Sequence, residues 1–135
     1  MTIQLSVAAR NARLDSIETA IGVSALLTIR SGAQPADCSQ ANAGVVLATV
    51  NLPSDWMAAA AAGTKAKLGT WQDASADAAG TAAHFRIHDT GGTNCHLQGT
   101  VTVTGGGGDL QVDNVVFAAG QSFTINSFTL TDGNP

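Results

Sequence analysis

Residues 100–113 read Thr100-Val101-Thr102-Val103-Thr104, then four glycines at 105–108, then Asp109-Leu110-Gln111-Val112-Asp113. Both flanks alternate apolar and polar residues, the period of a strand with one buried face. Val and Thr branch at Cβ and favour extended backbone. Four glycines in a row punctuate the chain, and no Lys-Ser/Thr ending or following helix makes them a phosphate loop. The stretch predicts two strands joined by a flexible glycine hairpin tip. Working outward, similar patterns cover 24–30, 45–51, 66–72, 82–88, 97–104, 109–116 and 122–131. The last breaks parity, with Phe123 and Ile125 on one face and Phe128 and Leu130 on the other, which calls for a bulge near Asn126-Ser127. Strands at this short spacing predict a mainly β chain, an antiparallel β-sandwich of jelly-roll type.

Two helices accompany the strands. Ser6 is an N-cap candidate, Val7, Leu14, Ile17 and Ile21 recur at helical spacing, and Gly22 supplies the stop. Arg10, Arg13, Asp15 and Glu18 are read as the solvent side of this helix. Pro53 and Ser54 open a short internal helix through Trp56 and the alanines 58–62, ended by Gly63. The division is an N-terminal helix or arm, 1–22, and one β domain, 23–135. The helix either packs on its own domain or docks on a neighbouring subunit.

The 135 residues suit one domain. Six aromatics, two Trp and four Phe, make the core poor in large side chains, so burial against another copy is expected to add to it. The net charge is −4, and no Lys or Arg follows Arg86. A nucleic-acid binder needs a clustered basic face, so direct nucleic-acid binding is not expected. No apolar run reaches the length of a membrane span. The opening residues lack the basic and apolar regions of a secretory leader, which points to synthesis in a cytoplasm. There Cys38 and Cys95 are expected to stay thiols, a bridge being the alternative for a particle released from a cell.

Site chemistry is sparse. His84 and His88 lie in one strand, about 13 Å apart at ~3.3 Å per residue, too far to share an ion. His88 and His96 flank a turn and could face each other with Asp89 or Cys95, but a solvated polar edge is the simpler account. Asp73 and Asp77 form a possible carboxylate pair in what reads as a solvated connection. Trp56 and Trp71 suit core or interface anchoring better than a sugar platform. No Gly-x-Ser-x-Gly elbow is present. No catalytic residue, metal ligand or cofactor is assigned.

Several stretches resemble a family of short virion proteins of tailed bacteriophages. They are residues 5–15, Leu5-Ser-Val-Ala-Ala-Arg-Asn-Ala-Arg-Leu-Asp15; 52–57, Leu52-Pro-Ser-Asp-Trp-Met57; 69–77, Gly69-Thr-Trp-Gln-Asp-Ala-Ser-Ala-Asp77; 83–89, Ala83-His-Phe-Arg-Ile-His-Asp89; and the glycine turn before Asp109. Size and β pattern are similar to head decoration or cement proteins with jelly-roll folds. The resemblance implies a non-enzymatic role on the capsid surface, with the major capsid protein as partner and the bacterial cytoplasm as the place of synthesis. A tail or fibre component is the alternative, and a free enzyme or sugar-binding module a third. Self-association is expected, a homodimer first and a trimer second. The candidate subunit or capsid contacts are Val7, Leu14, Ile17, Ile21 and Trp56.

Overall fold

The computed structural model describes residues 3–133. One helix, α1 (Val7–Ile21), precedes eleven short strands: β1 (Leu26–Arg30), β2 (Val46–Asn51), β3 (Thr64–Ala66), β4 (Trp71–Asp73), β5 (Gly80–Thr81), β6 (His84–His88), β7 (Cys95–Val103), β8 (Leu110–Val112), β9 (Val116–Phe117), β10 (Phe123–Ile125) and β11 (Thr129–Thr131). The chain is mainly β, with a curled five-stranded sheet in the order β2-β1-β6-β7-β8 and two-stranded ribbons β10-β4, β11-β3 and β5-β9. No helix among the described residues is long and apolar enough to cross a membrane.

Strand alternation gives the five-stranded sheet two unlike faces. Leu27, Ile29, Ala48, Val50, Phe85, Ile87, Val101, Leu110 and Val112 form the apolar one and are buried. Trp71, Phe123, Ile125 and Phe128 join that core from the ribbons and their connections. Phe85 of the sheet meets Phe128 edge to face at 5.6 Å; Phe128 packs on Trp71 at 5.5 Å, and Trp71 on Trp56 at 6.1 Å. Four of the six aromatics thus form one continuous string, and Phe117 and Phe123 pair separately at 4.7 Å. The Trp56 indole ends the string by donating to the Gly22 carbonyl at the end of α1, 2.9 Å away.

Helix α1 has its expected ends. Ser6 Oγ accepts from the Ala9 amide, and Gly22 sits at φ 94°. Leu14 and Ile21 are buried in the chain's own core. Of the charged residues expected in solvent, Arg13 is exposed, but Arg10, Asp15 and Glu18 are partly buried and turn to the body. Lys65 of β3 is buried, and its ammonium donates to Asp15 at 2.7 Å, Glu18 at 2.8 Å and the Ala58 carbonyl at 2.9 Å. Asn11 accepts from the Gly63 amide, Asp15 from Ala60, and Arg10 donates to the Asp132 carbonyl.

These contacts replace the expected internal helix at 53–62. No helix forms there. Ten residues carry the nucleation cost of a helix with little propagation to offset it, and amide donors of this segment find carboxylate and amide oxygens on α1. Isolated antiparallel bridges Met57↔Lys67 and Ala61↔Thr64 make it an irregular hairpin, with Ala62 at φ 53°.

Four strand expectations are also corrected. Residues 66–72 split at Gly69, φ 75°, into the end of β3 and the start of β4. Residues 109–116 split at an Asn114 turn, where its side chain accepts from the Val116 amide. The parity break at 126–127 is a change of partner rather than a bulge: β10 pairs with β4 and β11 with β3. The glycine run is not a hairpin tip, because β7 and β8 pair in parallel, Val101↔Leu110 to Val103↔Val112. Parallel neighbours usually need a crossover of a dozen residues or more. Here six residues, 104–109, turn back over Thr102, so the sheet is not wholly antiparallel.

Asp73 and Asp77 lie along the outer edge of β2. Asp73 Oδ2 accepts from the Thr49 amide at 2.9 Å, Asp77 Oδ2 from the Thr49 hydroxyl at 2.6 Å, and the Asp77 amide donates to the Leu47 carbonyl at 2.8 Å. They are structural rather than a solvated connection.

Candidate functional site

The other face of the sheet carries the chain's unusual chemistry. Register places Thr28 opposite Arg86, Arg30 opposite His84, and Arg86 opposite Gln98. All side chains of His84-Phe-Arg-Ile-His88 are buried, so alternation puts Phe85 and Ile87 in the core and His84, Arg86 and His88 on this second face. Thr28 and Arg30 are buried beside them. Two arginines and two histidines thus share a buried patch in a chain of net charge −4.

A strap, residues 31–45, covers the patch. It contains no regular secondary structure, and none of its residues is itself fully buried. Polar ties hold it down. Arg86 is 1% exposed. Its Nε donates to Gln98 Oε1 at 3.0 Å, Nη1 to the Gln40 carbonyl at 3.1 Å and Asn42 Oδ1 at 2.7 Å, and Nη2 to the Asp37 carbonyl at 3.0 Å. Gln98 in turn donates to the Pro35 carbonyl at 2.7 Å, and His84 Nδ1 lies 2.9 Å from the Gly32 carbonyl. Drawing the strap carbonyls onto Arg86 brings Cys38 above β7. There it bonds Cys95, with Cα atoms 5.2 Å apart. The expected free thiols are therefore corrected to a disulfide, which closes a separation of 57 residues.

The electrostatics are one-sided. No carboxylate among the described residues forms an ion pair with Arg86 or Arg30; their charges rest on neutral oxygens. Burial, then the field of Arg86, lowers the pKa of Arg30 from its ordinary value. Burial is also the main reason both imidazoles titrate below the usual histidine value, and the two arginines add to it. His84 Nε2 and His88 Nδ1 are buried without a hydrogen-bond partner. The Asp37 carboxyl is held low chiefly by the Ser39 hydroxyl and amide, and Asp89 by the Asn94 side chain and the Thr93 amide.

Between the strap and the 89–95 turn lies a pocket of about 520 Å³, with Arg86 and His88 among its lining. A wider groove of about 670 Å³ runs between β7, the glycine turn and β11, over Phe85 and Phe128.

The candidate contact residues separate by burial. Leu14, Ile21 and Trp56 are interior, and Ile17 is half-buried against the core. Val7 remains 48% exposed, beside Ile3 at 83%. Trp56 and Trp71 are both interior and present no platform. The suggested His88–His96 site is not assembled: His96 is exposed, Cys95 is in the disulfide, and no group of three or more metal-binding side chains converges among the described residues. The basic face and its strap were missed from sequence, although alternation of His84, Arg86 and His88 with Phe85 and Ile87 carried the signal. Polar residues on a strand bounded by buried neighbours imply a cover, and the Pro/Gly-containing 31–45 segment was available to supply it. No family model, curated protein or solved structure matches the chain.

Proposed function

We propose that this chain is a structural protein of a tailed-phage virion, a decoration or cement protein that binds the outer head lattice. The observation that carries it is a contrast within one molecule. The body is cross-braced by Lys65 to α1, by Arg86 to the strap and by the Cys38–Cys95 bond. Two apolar side chains, Ile3 in the segment leading into the braced helix and Val7 at its first turn, are left uncovered. A stiff body with an apolar tip loses little conformational entropy when it docks. A clamp that binds only the assembled lattice stabilises it by mass action, and many modest contacts add through multivalency.

The resemblance in residues 5–15, 52–57, 69–77 and 83–89 supports the same assignment. The finer architecture, a jelly-roll sandwich, is part of the proposal. It is supported by the ribbons β10-β4 and β11-β3, which contribute to the core on the sheet's apolar side, and the parallel β7–β8 step is a local departure from it. Self-association, dimeric before trimeric, is proposed through Ile3 and Val7. Deleting 1–22 cannot test it cleanly, because Leu14, Ile21, Asp15 and Glu18 hold the body together. Val7→Glu with Ile3→Glu tests it instead.

The test is DNA release from heated or chelator-treated particles, with and without the protein. Release at lower temperature from particles lacking it, and loss of head binding by the double Glu variant, is the expected result. Equal stability of both particles, or density for the protein only on tails in cryo-electron micrographs, would refute the cement role and favour the tail alternative.

A further inference from the structure

We propose that the pocket between the strap and the 89–95 turn binds a small free oxyanion of the phosphate or carboxylate class. Its floor holds Arg86 and His88. Ser39 and Asn42 line it from the strap, and Thr93 and Asn94 from the turn. None of its lining residues is acidic, although the chain has ten Asp and Glu against six Lys and Arg. At about 520 Å³ it has room for more than the ion itself, so a phosphorylated or carboxylated small molecule also fits.

Two observations point to a ligand here. His88 is 3% exposed, and its Nδ1 has no hydrogen-bond partner. A buried polar atom left so is costly, and native structures nearly always satisfy it. An oxyanion would accept from that nitrogen once it carries a proton. The second observation is the guanidinium. Of its five N–H donors, four are engaged by Gln98, Gln40, Asn42 and Asp37. One Nη2 N–H is left, and the charge has no counter-ion. Buried charges are ordinarily paired, and an anion in the pocket supplies the pair.

The surrounding charges favour this on balance. Arg86 on the same strand, Arg30 on β1 and His96 on β7 are the basic groups acting on His88. Against them stands Asp89. Its carboxylate is turned to its own loop, accepting from the Thr93 and Asn94 amides and the Asn94 side chain. Asp37, on the strap, accepts from Ser39 instead.

The experiment is an NMR titration of the His88 ring in the full chain, disulfide intact. Sodium phosphate, acetate and chloride are compared at matched ionic strength. Phosphate, acetate or both should shift the ring resonance saturably and raise its titration midpoint by about 0.5 unit, a ~3-fold preference for the imidazolium; which ion does so identifies the class. Chloride should not. Thr93→Glu places an acid at the exposed rim without touching the core, and should abolish the response. His88→Gln should weaken the accompanying shifts of the Asn42 and Thr93 amides about tenfold. Identical behaviour in all three salts, or amide responses unchanged in both variants, overturns the site. The isolated chain is used, so the result does not depend on the particle role.

Discussion

The Gly108 amide donates to the Thr102 hydroxyl at 3.0 Å, and a Cβ on Gly108 would stand 2.7 Å from Thr102 Cγ2. Gly106 crowds the same residue from another side, a Cβ there falling 2.8 Å from both Cβ and Oγ1 of Thr102 and 3.0 Å from the Val103 carbonyl oxygen. Gly105 and Gly107 have φ of 86° and 80° with open space around them. The run thus alternates between glycines required by backbone conformation and glycines required by close approach to one threonine.

Gly106→Ala and Gly108→Ala should each destabilise by about 1–3 kcal/mol, the usual cost of overpacking. Thr102→Ala removes Cγ2 and Oγ1 but keeps Cβ. It should therefore lessen the cost of Gly108→Ala more than that of Gly106→Ala, whose close approaches to Thr102 Cβ and the Val103 carbonyl oxygen persist. Urea unfolding of the two double-mutant cycles checks this. Equal coupling in both would refute the assigned contacts.

Reduction of Cys38–Cys95 should lower stability by about 4 kcal/mol, the chain-entropy value for a loop of this size. Amide exchange should rise first in 31–45, which polar ties alone then hold. Thermal melts with and without reductant measure the first effect. An unchanged melting temperature would mean the strap is fixed without the bridge.

Acid should destabilise the fold in two stages. His84 and His88 titrate below 6.5 in the folded chain, so the unfolded state binds protons more readily. Stability from this source is complete above about pH 6.5 and falls as pH drops below it. Asp15, Asp37 and Asp89, lowered from 3.8, add a second loss only below about pH 4. The double variant His84→Gln, His88→Gln should flatten the first stage and leave the second. A melting temperature constant from pH 7 to 5 in the parent chain would contradict this account.

Lys65 gives an alkaline counterpart. Burial alone would lower its pKa, but Asp15 and Glu18 outweigh burial and raise it above 10.5. Its contribution is present below that value and disappears only as pH rises through the higher folded one. Asp15→Asn with Glu18→Gln leaves the ammonium buried without a counter-charge and should cost about 3 kcal/mol. Lys65→Met in that background should recover part of the loss in denaturant midpoints. No recovery would locate the damage in the helix itself.

The parts of the fold visible in sequence were those with a strong local signature. Ser6 and Gly22 bracket α1, and the apolar alternation of 24–30 and 82–88 matches β1 and β6. What stayed hidden depended on partners far along the chain. Asp15 and Glu18 look like solvent charges until Lys65, some fifty residues later, is folded against them. The 58–62 alanines favour a helix locally, yet the Ala60 amide goes to Asp15 on α1 and those of Ala58 and Ala61 to carbonyls of 64–66, which leaves an irregular hairpin. The glycine run looks like a hairpin tip because nothing local distinguishes a return beside β7 in parallel from one in reverse. The basic face was half legible: its alternation was plain, while its cover required knowing that Arg86 gathers carbonyls from 37–42.

The two carboxylates along β2 have a consequence for behaviour at high concentration. β2 is an outer strand of the sheet, and such a rim is where strands of separate molecules can stack into fibrils. Asp73 already occupies the Thr49 amide and Asp77 the Leu47 carbonyl and the Thr49 hydroxyl. An incoming strand would find these bonding positions filled and meet two negative charges. Molecules packed side by side can therefore be concentrated without this border seeding runaway polymerisation.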